Sequence, residues 1–330
     1  MKKLGVIGAG AWGTALATVS VRAGLDTLIW AREDEVVESI NSAHENHLYL
    51  DGVALDPALV ATSDMADMAD RDVILMVAPA QHLRPVSAQL KGHISAQAPV
   101  LICSKGIEVA SGKLMSSVLE EAMPDNPIGV LGGPTFAAET SRNMITAITL
   151  AMADEKLGLE IVQALGQSTF RPYFSTDVIG AQIGGAVKNI IAIASGIVAG
   201  LGLGENAKAA LITRGLSEMQ RFGLSRGAKA ETMMGLSGVG DLVLTCSSMQ
   251  SRNMSLGKAL GHGKSFKEIM DGRISVSEGA HTVEVVHKIA VEEGIEMPIT
   301  EAVYRIIYDG DSVEGVMKDL MTRPFTKENS

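Results

Sequence analysis

Short apolar runs and helix-forming segments alternate through the first half of the chain. Each run is four to six residues long, and most of them end in a turn of glycine, proline or small polar residues. Runs of this length that are apolar throughout are typical of parallel strands buried on both faces. We predict strands at residues 3–7, 27–30, 72–77, 99–103, 128–131, 145–150 and 170–174.

The pattern changes after about Thr176, where strand signals stop and apolar residues recur at helical spacing. Asp177 is a suitable N-cap for a long helix, because its carboxylate can accept hydrogen bonds from the free N–H groups of the first turn. The 330 residues are enough for two domains of about 100–200 residues each. We therefore expect an α/β half followed by an all-helical half, with one helix bridging the two.

A glycine-rich turn follows the first predicted strand directly. Gly8, Gly10 and Gly13 form the pattern G-x-G-x-x-G, and a helix-forming segment and the second strand come next. Gly8 permits the tight turn, Gly10 lets the backbone approach a pyrophosphate, and Gly13 lets helix and strand pack closely. The free N–H groups of the helix would face the phosphates. This order predicts a Rossmann-type dinucleotide site; the alternative is a glycine-rich turn in another α/β fold.

The residue that closes the second strand bears on the choice of cofactor. NAD sites usually place an acidic residue there for the ribose 2′-hydroxyl, whereas an arginine can pair with the 2′-phosphate of NADP. Here the strand ends in Trp30-Ala31-Arg32, which favours NADP(H) while leaving NAD(H) possible. Glu33 and Asp34 follow and weaken the distinction. The alternative for Arg32 is a solvated residue at the start of a helix.

Two later strands end in turns that carry polar residues. Lys105 follows the strand at 99–103, and Gly133-Pro134-Thr135 follows the strand at 128–131. Ligands of open α/β sheets bind outside the carboxyl ends of the strands. We expect Lys105 and the turn at Gly133 to face the cofactor crevice, with Lys105 touching substrate or cofactor. The alternative for Lys105 is an exposed loop lysine.

Lys188 lies in an apolar stretch of small residues, 184–202. A helix would give it a face that is small and mostly apolar and that could admit another backbone or a ligand. This face is formed by Ala181, Gly184, Gly185, Ile191, Ala192 and Ser195. Because burial disfavours the charged form of a lysine, Lys188 could have a shifted pKa and exchange protons with a substrate. The alternative is a structural lysine that snorkels or forms an ion pair.

Polar groups are concentrated again in two stretches of the helical half. Asp241 follows a glycine-rich turn and could pair with a lysine and orient it, although an isolated aspartate there is more often a helix cap. Residues 245–253 combine hydroxyls with the guanidinium of Arg252 and the amide of Asn253. That mixture suits a phosphate group. The alternative is a polar loop that caps the next helix.

Composition narrows the class of protein. With 46% hydrophobic and 20% charged residues, the chain is globular. A net charge of −10 argues against long-range attraction to nucleic acid or to an anionic membrane, but permits a local basic site. Two cysteines, Cys103 and Cys246, cannot form a disulfide framework, and a reducing cytoplasm fits best.

Three features suggest other classes of protein, and we give each the simpler interpretation. The N-terminus has the two lysines and the apolar run of a signal peptide. A signal peptide, however, has no need for the regular spacing of Gly8, Gly10 and Gly13. The sixteen uncharged residues between Lys188 and Glu205 are too few and too glycine-rich for a membrane span. His44 and His47 have helical spacing but no matching ligand cluster in the sequence, so we interpret them as surface loop residues and expect no metal.

Seven motifs occur in a fixed order between Gly8 and Gly279: GAGAWGTALA, SKGIE, GGPTFAAE, GGAVKNIIAIASG, GVGDLVLTC, SRN and VSEG. Together they resemble the bacterial glycerol-3-phosphate dehydrogenase family. The resemblance implies a Rossmann (doubly wound, mostly parallel α/β) domain at residues 1–178 and an all-α substrate domain at 179–330. It also implies reversible NAD(P)H-dependent reduction of dihydroxyacetone phosphate to sn-glycerol 3-phosphate, a precursor of phospholipids.

The resemblance assigns roles to individual residues. It makes Lys188 the catalytic lysine, with Asp241 beside it. The expected cofactor contacts include the glycine turn itself. They are Gly8, Gly10, Ala11, Trp12, Gly13, Arg32, Lys105, Ala137, Arg252, Val276 and Glu278. The substrate contacts are Lys105, Gly133, Thr135, Lys188, Asp241, Ser251, Arg252 and Asn253. Ala11 replaces a usual serine, which removes a hydroxyl contact to the pyrophosphate, whereas Thr135 replaces a serine and keeps the hydroxyl.

The resulting hypothesis is that Lys188, oriented by Asp241, stabilises the carbonyl oxygen and supplies its proton. One alternative is a related reductase of a β-hydroxy or keto acid such as ketopantoate, which would need a carboxylate site. Another is a non-catalytic NADP(H)-sensing protein that binds partners through its helical half. The apolar helical half also suggests a homodimer.

Overall fold

The computed structural model describes residues 1–271 and 277–324. Its eight strands form one sheet in the order β3-β2-β1-β4-β5-β6-β7-β8. The strands are β1 Lys3–Ile7, β2 Asp26–Trp30, β3 Val60–Thr62, β4 Val73–Met76, β5 Val100–Ile102, β6 Ile128–Gly132, β7 Thr146–Met152 and β8 Phe170–Ser175.

The sheet is mostly parallel. The first six strands run in one direction, while β7 pairs antiparallel with β6 and parallel with β8. The central strands are buried almost throughout, as their uninterrupted apolar runs predict. All seven predicted strands are confirmed, with ends that move by one or two residues. The short edge strand β3 was missed, because only Ala61 in it is buried and it pairs with β2 alone.

Helices alternate with the strands up to β8, and the described chain after β8 is helical. The helices of the first part are α1 Ala11–Arg22, α2 Asp34–Glu38, α3 Leu83–Leu90, α4 Met115–Ala122, α5 Ala137–Ser141 and α6 Glu155–Leu165. Those of the second part are α7 Val178–Gly200, α8 Gly204–Ser225, α9 Ala230–Met233, α10 Asp241–Ser247, α11 Arg252–Gly261, α12 Phe266–Met270, α13 Glu278–Glu293, α14 Pro298–Tyr304 and α15 Val313–Met321.

Single 3₁₀ or π turns complete the helical structure. The 3₁₀ turns are Met65–Met68 and Ala80–His82, and the π turns are Ser39–Ala43, Leu236–Gly240 and Arg305–Asp309. The predicted fold class, a Rossmann sheet followed by a helical region, is therefore confirmed. The exact division into domains at 178 and 179 remains a prediction.

The core of the second part is built around α7. The side chain of Asp177 caps this helix by accepting a hydrogen bond from the Gly180 N–H at 2.9 Å, as predicted. Residues 180–198 are all buried. A Cβ at Gly184 would overlap the carbonyl oxygen of Ser237, and one at Gly196 would overlap that of Met254. The small residues of α7 therefore admit neighbouring backbone segments, as the sequence suggested.

The two segments that resembled targeting or membrane sequences both belong to the fold. Residues 3–22 form β1, the glycine turn and α1, and most of the apolar residues in β1 and α1 are buried. Helix α7 is long and apolar enough to cross a bilayer, yet 89% of its most apolar 18-residue window is buried inside the protein. Burial of this kind identifies α7 as a core helix. Cys103 and Cys246 are both free and buried.

Candidate active site

The glycine turn between β1 and α1 has the geometry that its sequence predicts. Gly8 has a φ of 110°, a backbone conformation that side chains other than glycine rarely adopt. A Cβ at Gly13 would overlap the carbonyl oxygen of Gly8, so the helix can approach the strand only with glycine there. Gly10 occupies the N-cap position of α1, so no side chain caps this helix. A Cβ at Gly10 would meet no atom within 4 Å. The free helix terminus and the open space at Gly10 fit a dinucleotide pyrophosphate.

Asn46 holds this turn from outside the motif. Its side chain is buried, and its amide donates hydrogen bonds to the Ala9 carbonyl and the Thr14 hydroxyl, both at 2.8 Å. Its oxygen accepts a bond from the Tyr49 N–H at 3.2 Å. Sequence reasoning missed Asn46, because it lies 37 positions from Ala9 in an irregular loop with no spacing signal.

The remaining predicted cofactor residues of the sheet domain lie around the turn. Ala11 and Trp12 are the first residues of α1 and are partly buried. Ala137 begins α5, and it packs against the same hydrophobic cluster as Ala11 and Trp12. Arg32 lies just after β2 and is exposed, which both a cofactor contact and a solvated residue would allow. Its guanidinium pairs with the carboxylate of Glu33 at 2.7 Å.

A buried carboxylate joins two lysines at the centre of the molecule. Asp241, the first residue of α10, is fully buried. Its Oδ1 accepts a hydrogen bond from Lys188 Nζ at 2.5 Å, and its Oδ2 accepts one from Lys105 Nζ at 2.6 Å. Lys188 is 53 positions from Asp241 along the chain, and Lys105 is 136 positions away. The predicted pairing of Asp241 with a lysine is confirmed, and it involves two lysines.

Lys188 is held in a confined, polar position on α7. Its ammonium also donates to the Thr245 hydroxyl at 2.8 Å, and that hydroxyl donates to the Asp241 carbonyl at 2.7 Å. Burial lowers the pKa of Lys188 to about 8, although the charge of Asp241 acts in the opposite direction. The positive charge of Lys105 adds to the lowering. A lysine with such a pKa can both donate and accept a proton near neutral pH.

Thr245 belongs to this cluster rather than to the phosphate-like stretch in which the sequence placed it. It is buried and lies four residues after Asp241, one turn along α10, so that both side chains share a face. The sequence grouped Thr245 with Ser251 and Arg252, but Thr245 lies on α10 with its hydroxyl on Lys188 and Asp241, whereas Ser251 and Arg252 begin α11.

Lys105 comes from the carboxyl end of β5 and reaches towards the helical part. Besides Asp241, its ammonium binds the Gly133 carbonyl at 3.0 Å. Thr135 also directs its hydroxyl to that carbonyl, at 3.3 Å. Only 18% of the Lys105 side chain is exposed, so the interpretation as an exposed loop lysine was wrong. The strand ends, α7 and α10 therefore meet at this cluster.

The Ser251-Arg252-Asn253 stretch begins α11 beside the cluster. The Ser251 hydroxyl accepts a bond from the Met254 N–H at 3.3 Å, so the capping interpretation is correct for Ser251. The amide of Asn253 is buried and donates to the Asn189 oxygen at 2.9 Å. The oxygen of Asn253 accepts bonds from the Ser277 hydroxyl and from the Gly279 N–H at 3.1 Å.

Asn253 thus ties α11 to α7 and to the start of α13. Its partner Asn189 follows Lys188 directly, so this network also fixes the segment of α7 that carries the lysine. Arg252 is exposed at the start of α11. A guanidinium that is free to reach solvent, next to short polar side chains, can receive an anionic group.

Glu278 begins α13, and its carboxyl group lies within electrostatic reach of Arg252, Lys105 and Lys188. Burial raises the pKa of Glu278 above its ordinary value, and the charge of Arg252 and a hydrogen bond from the Ala80 backbone oppose that rise. The charges of Lys105 and Lys188 act on it as well. Val276, the other residue predicted here, lies outside the described residues.

The loop after α2 contains one group of side chains that the sequence search for metal sites missed. His47 Nδ1 lies 3.1 Å from Glu45 Oε2 and 3.6 Å from Asp51 Oδ1. The ligand-type atoms of these three residues lie within 4.8 Å of one another. His47 and Asp51 are exposed, so this is a surface cluster whose members form ion pairs with one another. The expectation that the chain uses no metal stays a prediction.

Comparison with known proteins identifies the family. Residues 3–158 match the model for the NAD-dependent glycerol-3-phosphate dehydrogenase N-terminus, and residues 177–318 match the model for the C-terminus of the same family. A glycerol-3-phosphate dehydrogenase of Parvibaculum lavamentivorans, named for NAD(P)+, is 52% identical over 99% of this chain and 98% of its own length. One from Caulobacter vibrioides is also 52% identical, over 99% of both chains.

A solved structure agrees with this assignment. The crystal structure of glycerol-3-phosphate dehydrogenase from Coxiella burnetii has a TM-score of 0.93 to this chain at 37% identity. The alignment covers 98% of this chain and 99% of that one. Both parts of the molecule, the sheet and the helices, are therefore shared. The chain belongs to the NAD-dependent glycerol-3-phosphate dehydrogenase family.

Proposed function

We propose that this chain catalyses the reversible NAD(P)H-dependent reduction of dihydroxyacetone phosphate to sn-glycerol 3-phosphate. The observation that carries the proposal is the buried ammonium of Lys188, bound to Asp241 and Thr245 where the strand ends meet the helical part. Family membership indicates the substrate, and this ammonium would supply the proton that reduction of a carbonyl group requires.

The cofactor would occupy the turn from Gly8 to Gly13, where the α1 N-terminus and the open space at Gly10 suit a pyrophosphate. Trp12, Arg32, Ala137 and Glu278 would be further contacts. When bound, NAD(P)H supplies the hydride for the reduction. We infer that NADP(H) is preferred and NAD(H) accepted, because Arg32 offers a cation for the 2′-phosphate.

The protein's own part in the reaction is to hold the carbonyl group and move a proton. As the C2 carbonyl is reduced, negative charge develops on its oxygen. Lys188 stabilises this oxygen and donates the proton from Nζ, while Asp241 holds the ammonium in place. In the oxidative direction neutral Lys188 accepts the proton from the hydroxyl. The pKa of about 8 suits both directions.

The phosphate of the substrate would bind next to this group. Arg252 supplies an exposed guanidinium, and Ser251 and Asn253 supply short polar groups at the α11 N-terminus. The backbone at Gly133 and the hydroxyl of Thr135 would line the other side. Binding energy from the phosphate would position the carbonyl for reaction.

The proposal is tested by loss of absorbance at 340 nm with dihydroxyacetone phosphate, run in parallel with NADPH and NADH. We expect rapid oxidation of both cofactors and sn-glycerol 3-phosphate as the product. Dihydroxyacetone and ketopantoate serve as controls, since one lacks the phosphate and the other carries a carboxylate. Turnover of ketopantoate alone would favour the keto-acid alternative, and cofactor binding without turnover would favour the sensor.

We also infer that the protein is a cytoplasmic homodimer. The cytoplasmic location is supported by the two free, buried cysteines. The dimer is supported by large apolar side chains that stay exposed on the helical part, such as Val291 and Met321. Light scattering after size-exclusion chromatography tests the dimer: a mass near twice the 34.6 kDa chain supports it, and the chain mass contradicts it.

A further inference from the structure

The exposed Arg32 beside the glycine turn is held by an acidic neighbour. Glu33 Oε1 accepts hydrogen bonds from Arg32 Nε at 3.2 Å and from Arg32 Nη2 at 2.7 Å. The same oxygen lies 3.4 Å from the hydroxyl of Tyr49, which points at it from the following loop. One carboxylate oxygen therefore occupies the edge of the guanidinium that forms two-pronged contacts with anions.

Glu33 is placed for this contact rather than for helix capping. It occupies the N-cap position of α2, yet its side chain makes no capping hydrogen bond. Only 25% of the Glu33 side chain is exposed, against 78% for Arg32. The Glu33 carboxylate is thus the less exposed group of this ion pair. The Tyr49 hydroxyl remains a donor, since burial and the charge of Glu33 raise its pKa.

The two forms of the cofactor would meet this pair differently. A 2′-phosphate binds arginine best through two parallel N–H donors, and Glu33 already uses Nε and Nη2. The 2′-phosphate must either displace the Glu33 carboxylate or bind only the N–H groups of Arg32 that Glu33 leaves free. In both cases the negative charge of Glu33 repels it. A 2′-hydroxyl instead donates a hydrogen bond, and a carboxylate at this position is the usual acceptor for NAD.

We propose that Glu33 sets the balance between the two cofactors, by competing with the 2′-phosphate of NADP(H) for Arg32 and by accepting a hydrogen bond from the 2′-hydroxyl of NAD(H). This inference rests on the proposed function only in its choice of cofactors. Glu33 is a specificity residue that acts in part through Arg32. The chain therefore carries a residue for each cofactor, one after the other.

The test is the dissociation constant of NADPH and of NADH, measured separately by nicotinamide fluorescence without substrate. In Glu33→Gln we expect tighter NADPH binding, because the repulsion and the competition are removed, and weaker NADH binding, because a charged acceptor is lost. Exposed ion pairs and single hydrogen bonds each change affinity by a few fold. The ratio of the two constants should therefore shift towards NADPH by about tenfold.

Glu35→Gln is the matched control, since it removes the same charge from an exposed residue two positions away. We expect it to leave the ratio of the two constants unchanged. If Glu33→Gln and Glu35→Gln shift the ratio equally, general electrostatics is the cause and the proposal is overturned. Glu33→Ser is a second variant, because serine is favoured at an N-cap and should keep α2 intact. It should shift the ratio in the same direction as Glu33→Gln.

The result also separates this inference from the proposed function. Because binding is measured without substrate, a shift in the ratio supports the role of Glu33 even if dihydroxyacetone phosphate is not reduced. Normal reduction with an unchanged ratio would overturn the role of Glu33 and leave the proposed reaction standing.

Discussion

The glycine turn and the buried lysine cluster reach their geometry by different routes. The turn lies within the continuous segment from β1 to β2, and its shape depends on the missing Cβ atoms of Gly8 and Gly13. The cluster is made of charged side chains, and Lys105, Lys188 and Asp241 come from distant parts of the chain. We therefore expect cofactor binding to depend mainly on local backbone, and the proposed proton transfer to depend on tertiary packing.

The difference predicts that the two sites can be disabled separately. Changes in the turn should affect cofactor affinity or the stability of the sheet part. Changes in the cluster should affect the rate and its pH dependence, while cofactor affinity is kept. Three experiments test this separation, in order of decreasing expected effect.

The largest effect is expected for Lys188→Met, which keeps the bulk of the side chain and removes its charge. Loss of the proposed proton donor should lower kcat for reduction by about 10²–10⁴. Asp241 would keep its contact with Lys105, so the fold should persist. Steady-state kinetics gives kcat, and fluorescence titration should show unchanged NADPH binding.

The exposed Lys264→Met is the control for loss of a lysine, and it should retain the wild-type rate. If Lys188→Met keeps kcat within about tenfold of wild type while its circular dichroism is normal, Lys188 is not the proton donor. If it loses NADPH binding instead, the proposed separation of the two sites fails.

An intermediate effect is expected from two alanine substitutions in the glycine turn. In Gly13→Ala the new Cβ collides with the Gly8 carbonyl, so overpacking should cost about 1–3 kcal/mol of stability and weaken cofactor binding as well. Gly10 has a φ of −65° and free space, so Gly10→Ala should fold normally. Its methyl group should nevertheless obstruct the pyrophosphate and weaken NADPH binding by about tenfold or more.

Thermal unfolding and NADPH titration of both variants separate the effect on stability from the effect on cofactor affinity. The expected pattern is a lowered Tm for Gly13→Ala and an unchanged or slightly raised Tm for Gly10→Ala, since alanine restricts the unfolded chain more than glycine does. Normal NADPH affinity in Gly10→Ala would place the pyrophosphate away from this turn.

The smallest effect is a shift in pH dependence. In the proposed mechanism reduction requires protonated Lys188, so its rate should fall as pH rises through about 8, and oxidation should slow as pH falls through the same value. The carboxylate of Asp241 raises the pKa of Lys188. Asp241→Asn should therefore lower that pKa by about one unit or more, and reduction should begin to slow at lower pH.

The pH profile of kcat/KM for Asp241→Asn measures this shift. It is recorded at a temperature below the variant's own Tm, because Lys188 and Lys105 lose their counter-charge. Asp271→Asn, at an exposed position, should keep the wild-type profile. A profile for Asp241→Asn that moves to higher pH would contradict the assigned electrostatics.

Much of the fold could be predicted from the sequence, because its signals are local. Fully apolar runs predict buried parallel strands, and the Gly8, Gly10 and Gly13 spacing predicts a tight turn. Asp177 was identified as the N-cap of α7 for the same reason, since capping involves residues within one turn. Asn46 and the edge strand β3 were missed, because their contacts are distant in sequence or involve little burial.

What the sequence by itself determined is seven of the eight described strands, the change to helices after β8, the glycine turn and a lysine in an apolar helix. Only the tertiary structure decided that Asp241 binds two lysines, that Thr245 belongs with Lys188, and that Glu33 occupies Arg32. The physical reason is range: backbone conformation follows from neighbouring residues, whereas the partner of a buried charge is selected by the packing of segments as much as 136 positions apart.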